Sequence, residues 1–129
     1  MWTEDRIWEW YEKQPWIVGF NYVPSYAVNS TEMWQSGSFD EGQIERELSA
    51  AGKLGYNACR VFIQYLLWKD EREKLFEHFE RFLKIAHSHG IRTVPILFDD
   101  CAFSGKEPYL GRQDEPIEGV HNSGWTPSP

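Results

Sequence analysis

The sequence lacks several features that mark common classes of protein. Its 129 residues include only two cysteines, Cys59 and Cys101, and no Cys-x-x-Cys pair. Neither a disulfide framework nor a structural zinc site is therefore expected. No run of about 18 apolar residues is present, so we expect no membrane-spanning helix. The N-terminus also lacks the basic and apolar segments of a secretory signal, which favours a cytoplasmic location.

Positive charge is scarce as well. Lys and Arg number 13 against 20 Asp and Glu, for a net charge of −7, and the basic residues form no block. Nucleic acids and anionic membranes select clustered Lys and Arg, so neither is expected as a partner. The loop after the first predicted strand has no glycine-rich turn. This argues against a flavodoxin-like phosphate site, and no cofactor is expected.

Aromatic residues, in contrast, are abundant. They make up 16% of the chain and include seven tryptophans. Exposed Trp and Tyr suit flat, partly hydrated ligands such as sugar rings, and they also suit protein interfaces. A plainer interpretation is that these side chains cover a small core.

Hydrophobic patterning predicts a single α/β domain over residues 1–129. It consists of an N-terminal helix within 1–15, a β-α-β-α-β segment over 16–100, and a long loop over 101–129. The strand candidates cover residues 16–24, 57–65 and 92–99. Strands that alternate with helices of this length must run parallel, because each return needs a crossover connection.

Capping residues predict where the two central helices begin and end. Asp40 with Gln43 forms a capping-box pair before one helix, and Asp70 with Glu73 forms another before the next. Gly90 ends the later helix, as glycine commonly does.

Alternation in the second strand separates an apolar face from a polar one. Cys59 and Val61 share the face expected to pack on helices, whereas Arg60 and Gln64 share the other with Ala58 and Phe62. A buried Arg is costly unless it is paired. Arg60 is therefore expected either to pair with Asp99 or Asp100 or to serve a ligand.

The neighbouring strands extend this polar face. Gly19, Asn21 and Val23 share one face of the first strand, and Thr93, Pro95, Leu97 and Asp99 share one face of the third. If both faces point the same way as Arg60, then Asn21, Arg60, Gln64 and Asp99 converge at the carboxyl ends of the strands. Asp100 points away from Asp99, so the two adjacent carboxylates are not expected to flank one bond.

Three motifs resemble the first strands of the clan A retaining glycoside hydrolases, which include cellulases, mannanases and β-galactosidases. They are Gly19-Phe-Asn-Tyr22, Gly55-Tyr-Asn-Ala-Cys-Arg60-Val-Phe and His89-Gly-Ile-Arg-Thr-Val-Pro-Ile-Leu97. The resemblance covers residues 16–129, and its most specific part is the glycine–x–Asn–x–x–Arg pattern of the second strand. It implies a (β/α)8 barrel and activity on β-linked carbohydrate.

The resemblance also implies roles for particular residues. Arg60 would support the catalytic centre, in line with that family's Arg beside the nucleophile. The loops after the first and third strands would line sugar subsites. The candidate substrate-binding residues are Asn21, Tyr26, Trp34, Gln64, Asp100, Tyr109 and Trp125.

The family's catalytic glutamates have no counterpart in these residues. Its acid/base Glu follows an Asn at the end of the fourth strand, and the sequence has no Asn-Glu dipeptide. Its nucleophile ends the seventh strand of a barrel of about 250 residues. Asp99 and loop acids such as Glu115 are the substitutes that the sequence offers, with Arg60 as the third catalytic candidate.

We therefore expect a partial barrel of three βα units that binds or acts on carbohydrate. Such a half-barrel would cover its open edges by self-association into a homodimer or a larger homo-oligomer. A non-catalytic structural or protein-interaction module is the alternative.

Overall fold

The computed structural model describes residues 1–101 and 103–129. In chain order, the helices and strands are α1 (Glu4–Glu12), β1 (Gly19–Asn21), α2 (Ser30–Trp34), α3 (Glu41–Lys53), β2 (Ala58–Phe62), α4 (Tyr65–Asp70), α5 (Arg72–Ser88) and β3 (Arg92–Ile96). None of the helices in these residues is long and apolar enough to cross a membrane.

The strands form one parallel sheet in the order β1-β2-β3. The predicted α/β class and parallel pairing are therefore confirmed. Asn21 lies opposite Arg60, and Arg60 lies opposite Val94. Because paired residues in a parallel sheet project to the same side, this register decides which side chains share a face.

The register corrects the predicted face of the third strand. Thr93 and Pro95 pair with Cys59 and Val61, so they project toward the helices and not toward Arg60. The side that carries Arg60 is completed by Arg92, Val94 and Ile96. The sequence could not fix this, because a shift of one residue in pairing reverses every side chain of a strand.

Helix α3 begins as predicted, whereas α5 does not. The Asp40 side chain accepts a hydrogen bond from the Gln43 amide at 2.9 Å, which caps α3. Asp70, in contrast, is the last residue of α4, and α5 follows after Glu71, which provides no side-chain cap. The predicted Asp70–Glu73 capping box is therefore wrong. The short helix α4 lies between β2 and α5, and Asp70 ends that helix instead of capping the next one.

One side of the sheet packs on α3 and α5 to form the core. Cys59 and Val61 of β2 are buried there with Ile44, Leu48 and Phe82 from the two helices. Burial raises the pKa of the Cys59 thiol. Cys59 is thus a core residue, as the sequence predicted.

The other side of the sheet is open. Arg60 and Asn21 are exposed, and Val94 is 51% exposed. Within the described residues, β1 and β3 pair only with β2, so their outer edges carry no further strand.

Helix α1 buries none of its residues. Trp8, Trp10 and Tyr11 on it are each about half exposed, at 56%, 44% and 53%. Gln14, just after the helix, accepts a hydrogen bond from Arg92 at the start of β3. The helix therefore lies toward the amino ends of the strands, away from the edge where their carboxyl ends meet.

Candidate functional site

The open side of the sheet carries a hydrogen-bonded pair formed by Asn21 and Arg60. These residues lie opposite each other on adjacent strands, and the Arg60 Nε donates to the Asn21 Oδ1 at 2.8 Å. Since an arginine can only donate, the bond also fixes the orientation of the Asn21 amide, whose Nδ2 points elsewhere. The two strands thus hold a rigid pair of polar side chains.

Arg60 pairs with neither Asp99 nor Asp100. Within residues 1–101 and 103–129 it forms no ion pair. Its second contact is aromatic, because its guanidinium carbon lies 5.5 Å from the centroid of the Phe62 ring. Of the two expectations for Arg60, the structure rules out the structural ion pair.

Phe62 contacts both Arg60 and Trp125, which lies in the loop over residues 103–129. The Trp125 ring meets the Phe62 ring edge to face at a centroid distance of 5.1 Å. The Trp125 Nε1 donates in turn to the Asp99 Oδ2 at 2.8 Å. We call the five residues Asn21, Arg60, Phe62, Trp125 and Asp99 the rim cluster.

Asp99 therefore joins the site by a different route from the one predicted. It does not share a strand face with Arg60. It lies beyond the end of β3, where its backbone forms an antiparallel bridge with Ser128. Asp99 is linked to Arg60 only indirectly, through the rings of Trp125 and Phe62.

Gln64 has a structural position rather than a place in the site. It is fully buried, its Oε1 accepts from the Leu66 amide, and its Nε2 donates to the Pro127 carbonyl at 3.1 Å. Ser128 adds a bond from its Oγ to the Ile63 carbonyl at 3.0 Å. Both residues fasten the end of the described chain to the end of β2, which holds Trp125 against Phe62.

A second set of buried amides ties the same segment to the loop after β1. The Asn29 Nδ2 donates to the Gln113 Oε1 and to the Gly124 carbonyl, both at 2.9 Å. Gln35 and Gly111 exchange two hydrogen bonds of 2.9 Å between the Gln35 side chain and the Gly111 backbone. We call Asn29, Gln35 and Gln113 the amide clamp.

The amide clamp explains how residues 103–129 stay ordered although they contain no helix or strand. Buried polar side chains are stable only when they are hydrogen-bonded, so each clamp residue selects one arrangement of the loop. None of the three residues was predicted from the sequence. Polar amides scattered through two loops have no periodicity by which they could have been recognised.

The two aromatic residues of the loop after β1 that were predicted to contact a sugar, Trp34 and Tyr26, both form hydrogen bonds within the protein. Trp34 has no exposed surface, and its Nε1 donates to the Phe62 carbonyl at 2.7 Å. It offers no face to a sugar, so this prediction is corrected: Trp34 is a core residue. Tyr26 is half-buried with its hydroxyl bonded to the Met33 carbonyl, and burial raises its pKa to about 12.

Three of the remaining candidates, Tyr109, Glu115 and Asp100, lie outside the rim cluster. The Tyr109 hydroxyl accepts from the Asp114 amide at 2.9 Å. The Glu115 side chain is 83% exposed, and its nearest cation is Arg112 at 3.7 Å. Asp100 is exposed beside Asp99. Trp125 does belong to the cluster, but at 9% exposure it supports Phe62 and Asp99 more than it presents a face of its own.

Glu47 is a perturbed carboxylate that the sequence analysis did not single out. Partial burial acts to raise its pKa, but hydrogen bonds from Gln43, Ser25 and Tyr22 outweigh that effect and lower it. The Tyr22 hydroxyl donates to its Oε2 at 2.8 Å. Glu47 thereby fixes the start of the loop that follows β1, behind the rim cluster.

The surface of the sheet beside Arg60 carries small side chains and forms a shallow depression. Gly19 and Ala58 face each other across β1 and β2, so on the side toward the amino ends of these strands a hydrogen and a methyl group lie next to the Asn21–Arg60 pair. With Val94 they line a depression of 420 Å³, within the range of roughly 300–1,000 Å³ that small-molecule sites occupy. Within the described residues, no group of three His, Cys, Asp or Glu side chains is arranged to hold a metal ion.

A separate apolar groove lies on the helix side of the sheet, next to β3. Its volume is 560 Å³, and it is lined by Ile63, Tyr65, Trp68, Leu75, Phe76, Phe79, Leu97, Phe98 and Pro129. All nine of these side chains are apolar or aromatic, so the groove suits hydrophobic packing more than a hydroxylated ligand.

No family model, no curated protein and no solved structure matches the chain.

Proposed function

We propose that the protein binds β-linked carbohydrate on the open side of its sheet, as a glycoside hydrolase-like partial barrel. The observation that supports the proposal is the rim cluster, in which polar side chains flank an aromatic ring next to a depression. Sugar rings present apolar C–H faces and peripheral hydroxyl groups. A site for them combines an aromatic surface with a few well-positioned donors and acceptors.

The cluster offers both kinds of contact. Arg60 and Asn21 supply donors at one end, and Asp99 supplies a carboxylate at the other. Phe62 lies between them with its ring partly exposed. Arg60, Asn21 and Phe62 lie on strands. Asp99 is held by Trp125, and the hydrogen bonds of Gln64 and Ser128 keep the segment that carries Trp125 in place. Ligand binding therefore requires little further ordering of these side chains.

Binding, without hydrolysis, is the function that the carboxylates favour. Retaining hydrolysis needs two carboxyl groups about 5–5.5 Å apart. The rim cluster contains one, Asp99, and its Oδ2 is engaged by Trp125. Glu115 is highly exposed on a loop, where a general acid is poorly positioned.

We also propose that a second copy of the chain covers the apolar groove and so extends the sheet into a more complete barrel. Large side chains that line the groove are exposed, including Trp68 at 46%, Phe76 at 57%, Leu97 at 57% and Phe98 at 79%. Contiguous exposed apolar surface of this kind marks an interaction site, and symmetric self-association is its commonest form. Sedimentation equilibrium at micromolar concentration tests this, and a monomer with cooperative unfolding would contradict it.

Isothermal titration calorimetry with cello-, manno- and xylo-oligosaccharides tests carbohydrate binding. We expect one of these series to bind and Arg60→Gln to weaken that binding at least tenfold. The matched control is Arg112→Gln, which removes an equal charge from a side chain that is 88% exposed. Equal weakening by both variants, or a wild-type protein that binds no β-linked sugar, would overturn the proposal.

A protein-interaction module is the second candidate function, and α1 is the observation that favours it. The helix buries none of its own residues although it carries Ile7, Trp8 and Tyr11 at helical spacing. On this alternative, sugars leave the tryptophan fluorescence unchanged, whereas substitution of Trp8 by Ser abolishes association with the partner.

A further inference from the structure

We infer that the rim cluster is selective for acidic sugars, with Arg60 and Asn21 binding the carboxylate of a β-linked hexuronate. The inference rests on the proposed carbohydrate-binding function and specifies its substrate class. Its starting point is that Arg60 is a cation on an open sheet face with no anionic partner among the described residues.

The polar atoms that the pair leaves over are all donors. The only acceptor atom of the pair, the Asn21 Oδ1, already accepts one hydrogen bond from the Arg60 Nε and has one lone pair left. Within the described part of the chain, the Arg60 Nη1 and Nη2 and the Asn21 Nδ2 have no hydrogen-bond partner, and none of these nitrogens can accept. A hydroxyl group both donates and accepts, whereas an ionised carboxylate only accepts. A surface on which unpaired donors outnumber acceptors therefore suits a carboxylate better than it suits a neutral sugar.

The geometry of Arg60 strengthens this preference. Its Nε is fixed by Asn21, and its guanidinium lies 5.5 Å from the centroid of the Phe62 ring, so the plane of the group has little freedom. A guanidinium in a fixed plane binds a carboxylate with two parallel N–H···O bonds, which a single hydroxyl group cannot match.

The depression beside the pair has room for the ring that carries the carboxylate. Gly19 and Ala58 keep its floor low, and an added Cβ at Gly19 would come within 3.2 Å of the Ala58 carbonyl oxygen. With the carboxylate at Arg60, the ring lies over Gly19 and Ala58, toward the amino ends of β1 and β2. Asp99 lies on the opposite side of the pair, beyond Phe62 and Trp125, where it would repel an anion, so the carboxylate is favoured at Arg60.

The test compares three ligands that differ only at C6: methyl β-D-glucuronide, its uncharged methyl ester and methyl β-D-glucoside. Calorimetry or nuclear magnetic resonance titration of the wild-type protein gives the three affinities. We expect the glucuronide to bind at least about tenfold more tightly than the other two, in line with the strength of charged hydrogen bonds. Arg60→Gln should remove that difference, Arg60→Lys should keep only part of it, and Arg112→Gln should keep it whole.

The outcomes separate this inference from the proposed function. Equal affinity for the three ligands overturns the acidic-sugar preference but leaves carbohydrate binding standing, and binding of none of them, nor of the neutral oligosaccharides, overturns both. A glucuronide preference that survives Arg60→Gln puts the carboxylate elsewhere and also overturns the inference. So does equally tight, Arg60-dependent binding of acetate, because the sugar ring would then contribute nothing.

Discussion

Asn29 is the residue at which the order of the loop over residues 103–129 can be tested most sharply. Its Oδ1 caps α2 by accepting from the Glu32 amide at 3.0 Å, while its Nδ2 donates to Gln113 and Gly124. Asn29→Asp preserves the size and the cap, since Asp is as good an N-cap residue as Asn. It replaces only the nitrogen that holds the loop. The substitution therefore separates the amide clamp from helix capping.

The expected cost follows from the contacts. Asn29 is 1% exposed, and of the two lost hydrogen bonds the one to Gln113 is buried and the one to Gly124 is partly buried. Each lost bond costs about 1 kcal/mol, and the acceptors left facing a new oxygen cost further. We expect a total loss of about 3 kcal/mol in the free energy of unfolding at neutral pH.

The loss should also depend on pH in a defined direction. A buried carboxyl that faces two acceptors has a pKa raised in the folded state, so the folded form binds more protons than the unfolded form. Its destabilising effect must then diminish as pH falls, because the protonated carboxyl regains a donor. Asn29→Asp should therefore recover part of its stability between neutral and mildly acidic pH.

Urea unfolding at the two pH values measures the free energy, and hydrogen exchange of residues 103–129 measures the order of the loop. Asn122→Asp is the control, because it makes the same chemical change at an exposed loop position. We expect Asn29→Asp, and not the control, to lose protection across the loop. If Asn29→Asp stays within about 0.5 kcal/mol of the wild type and keeps its protection, the amide clamp does not hold the loop.

Three further predictions concern the core, the support behind the site and the site itself. Phe82→Ala should lower the free energy of unfolding by about 3–5 kcal/mol, because Phe82 is fully buried against Trp34 and Tyr22; denaturant titration measures this. The folded protein lowers the pKa of Glu47. The Glu47 carboxylate therefore stabilises the fold fully above its unfolded-state pKa of about 4.3, and this stabilisation is lost as pH falls through its lower folded-state pKa. Glu47→Gln should thus cost about 1 kcal/mol at neutral pH, given its solvent screening, and nothing near about pH 2, as urea titrations at both pH values would reveal. Trp125→Phe keeps the contact with Phe62 but removes the hydrogen bond that Trp125 donates to Asp99. Calorimetry should detect about fivefold weaker sugar binding, equivalent to the loss of about one hydrogen bond.

Local signals predicted much of the fold correctly. The capping pair at Asp40 and the apolar spacing of Ile44 and Leu48 define α3 in the sequence and in the structure. The alternation around Cys59 and Val61 likewise defined which side of β2 is buried. These features succeed because each depends on residues a few positions apart, where backbone geometry and solvent exposure decide the outcome.

Features that depend on distant residues could not be read in the same way. The face of β3 depends on its register against β2, and no local signal at Thr93 or Pro95 sets that register. The position of Trp34 depends on the Phe62 carbonyl, 28 residues away, to which its indole nitrogen is bonded. In the sequence, a loop tryptophan that contacts a ligand cannot be distinguished from one that fills the core, because the hydrogen-bond partner of its indole nitrogen is not known.

The candidate site combines both cases. Asn21 and Arg60 were predictable, because strand alternation and the neighbouring strand place them side by side. Trp125 and Asp99 were identified as candidates, but their link to Phe62 was not, since it is made through a loop with no regular structure. The sequence thus predicted the strand-borne half of the rim cluster better than the loop-borne half.

Arginine and indole resonances in a nitrogen–proton correlation spectrum test the sugar site most directly. During titration with the β-linked oligosaccharide or glucuronide, the Arg60 Nε–Hε and Trp125 Nε1–Hε1 signals should move together and saturate. Signals of Trp8 and Trp10 on α1 should stay fixed. Saturating shifts confined to the α1 tryptophans, with Arg60 and Trp125 unmoved, would mean that the open side of the sheet is not where this protein binds sugar.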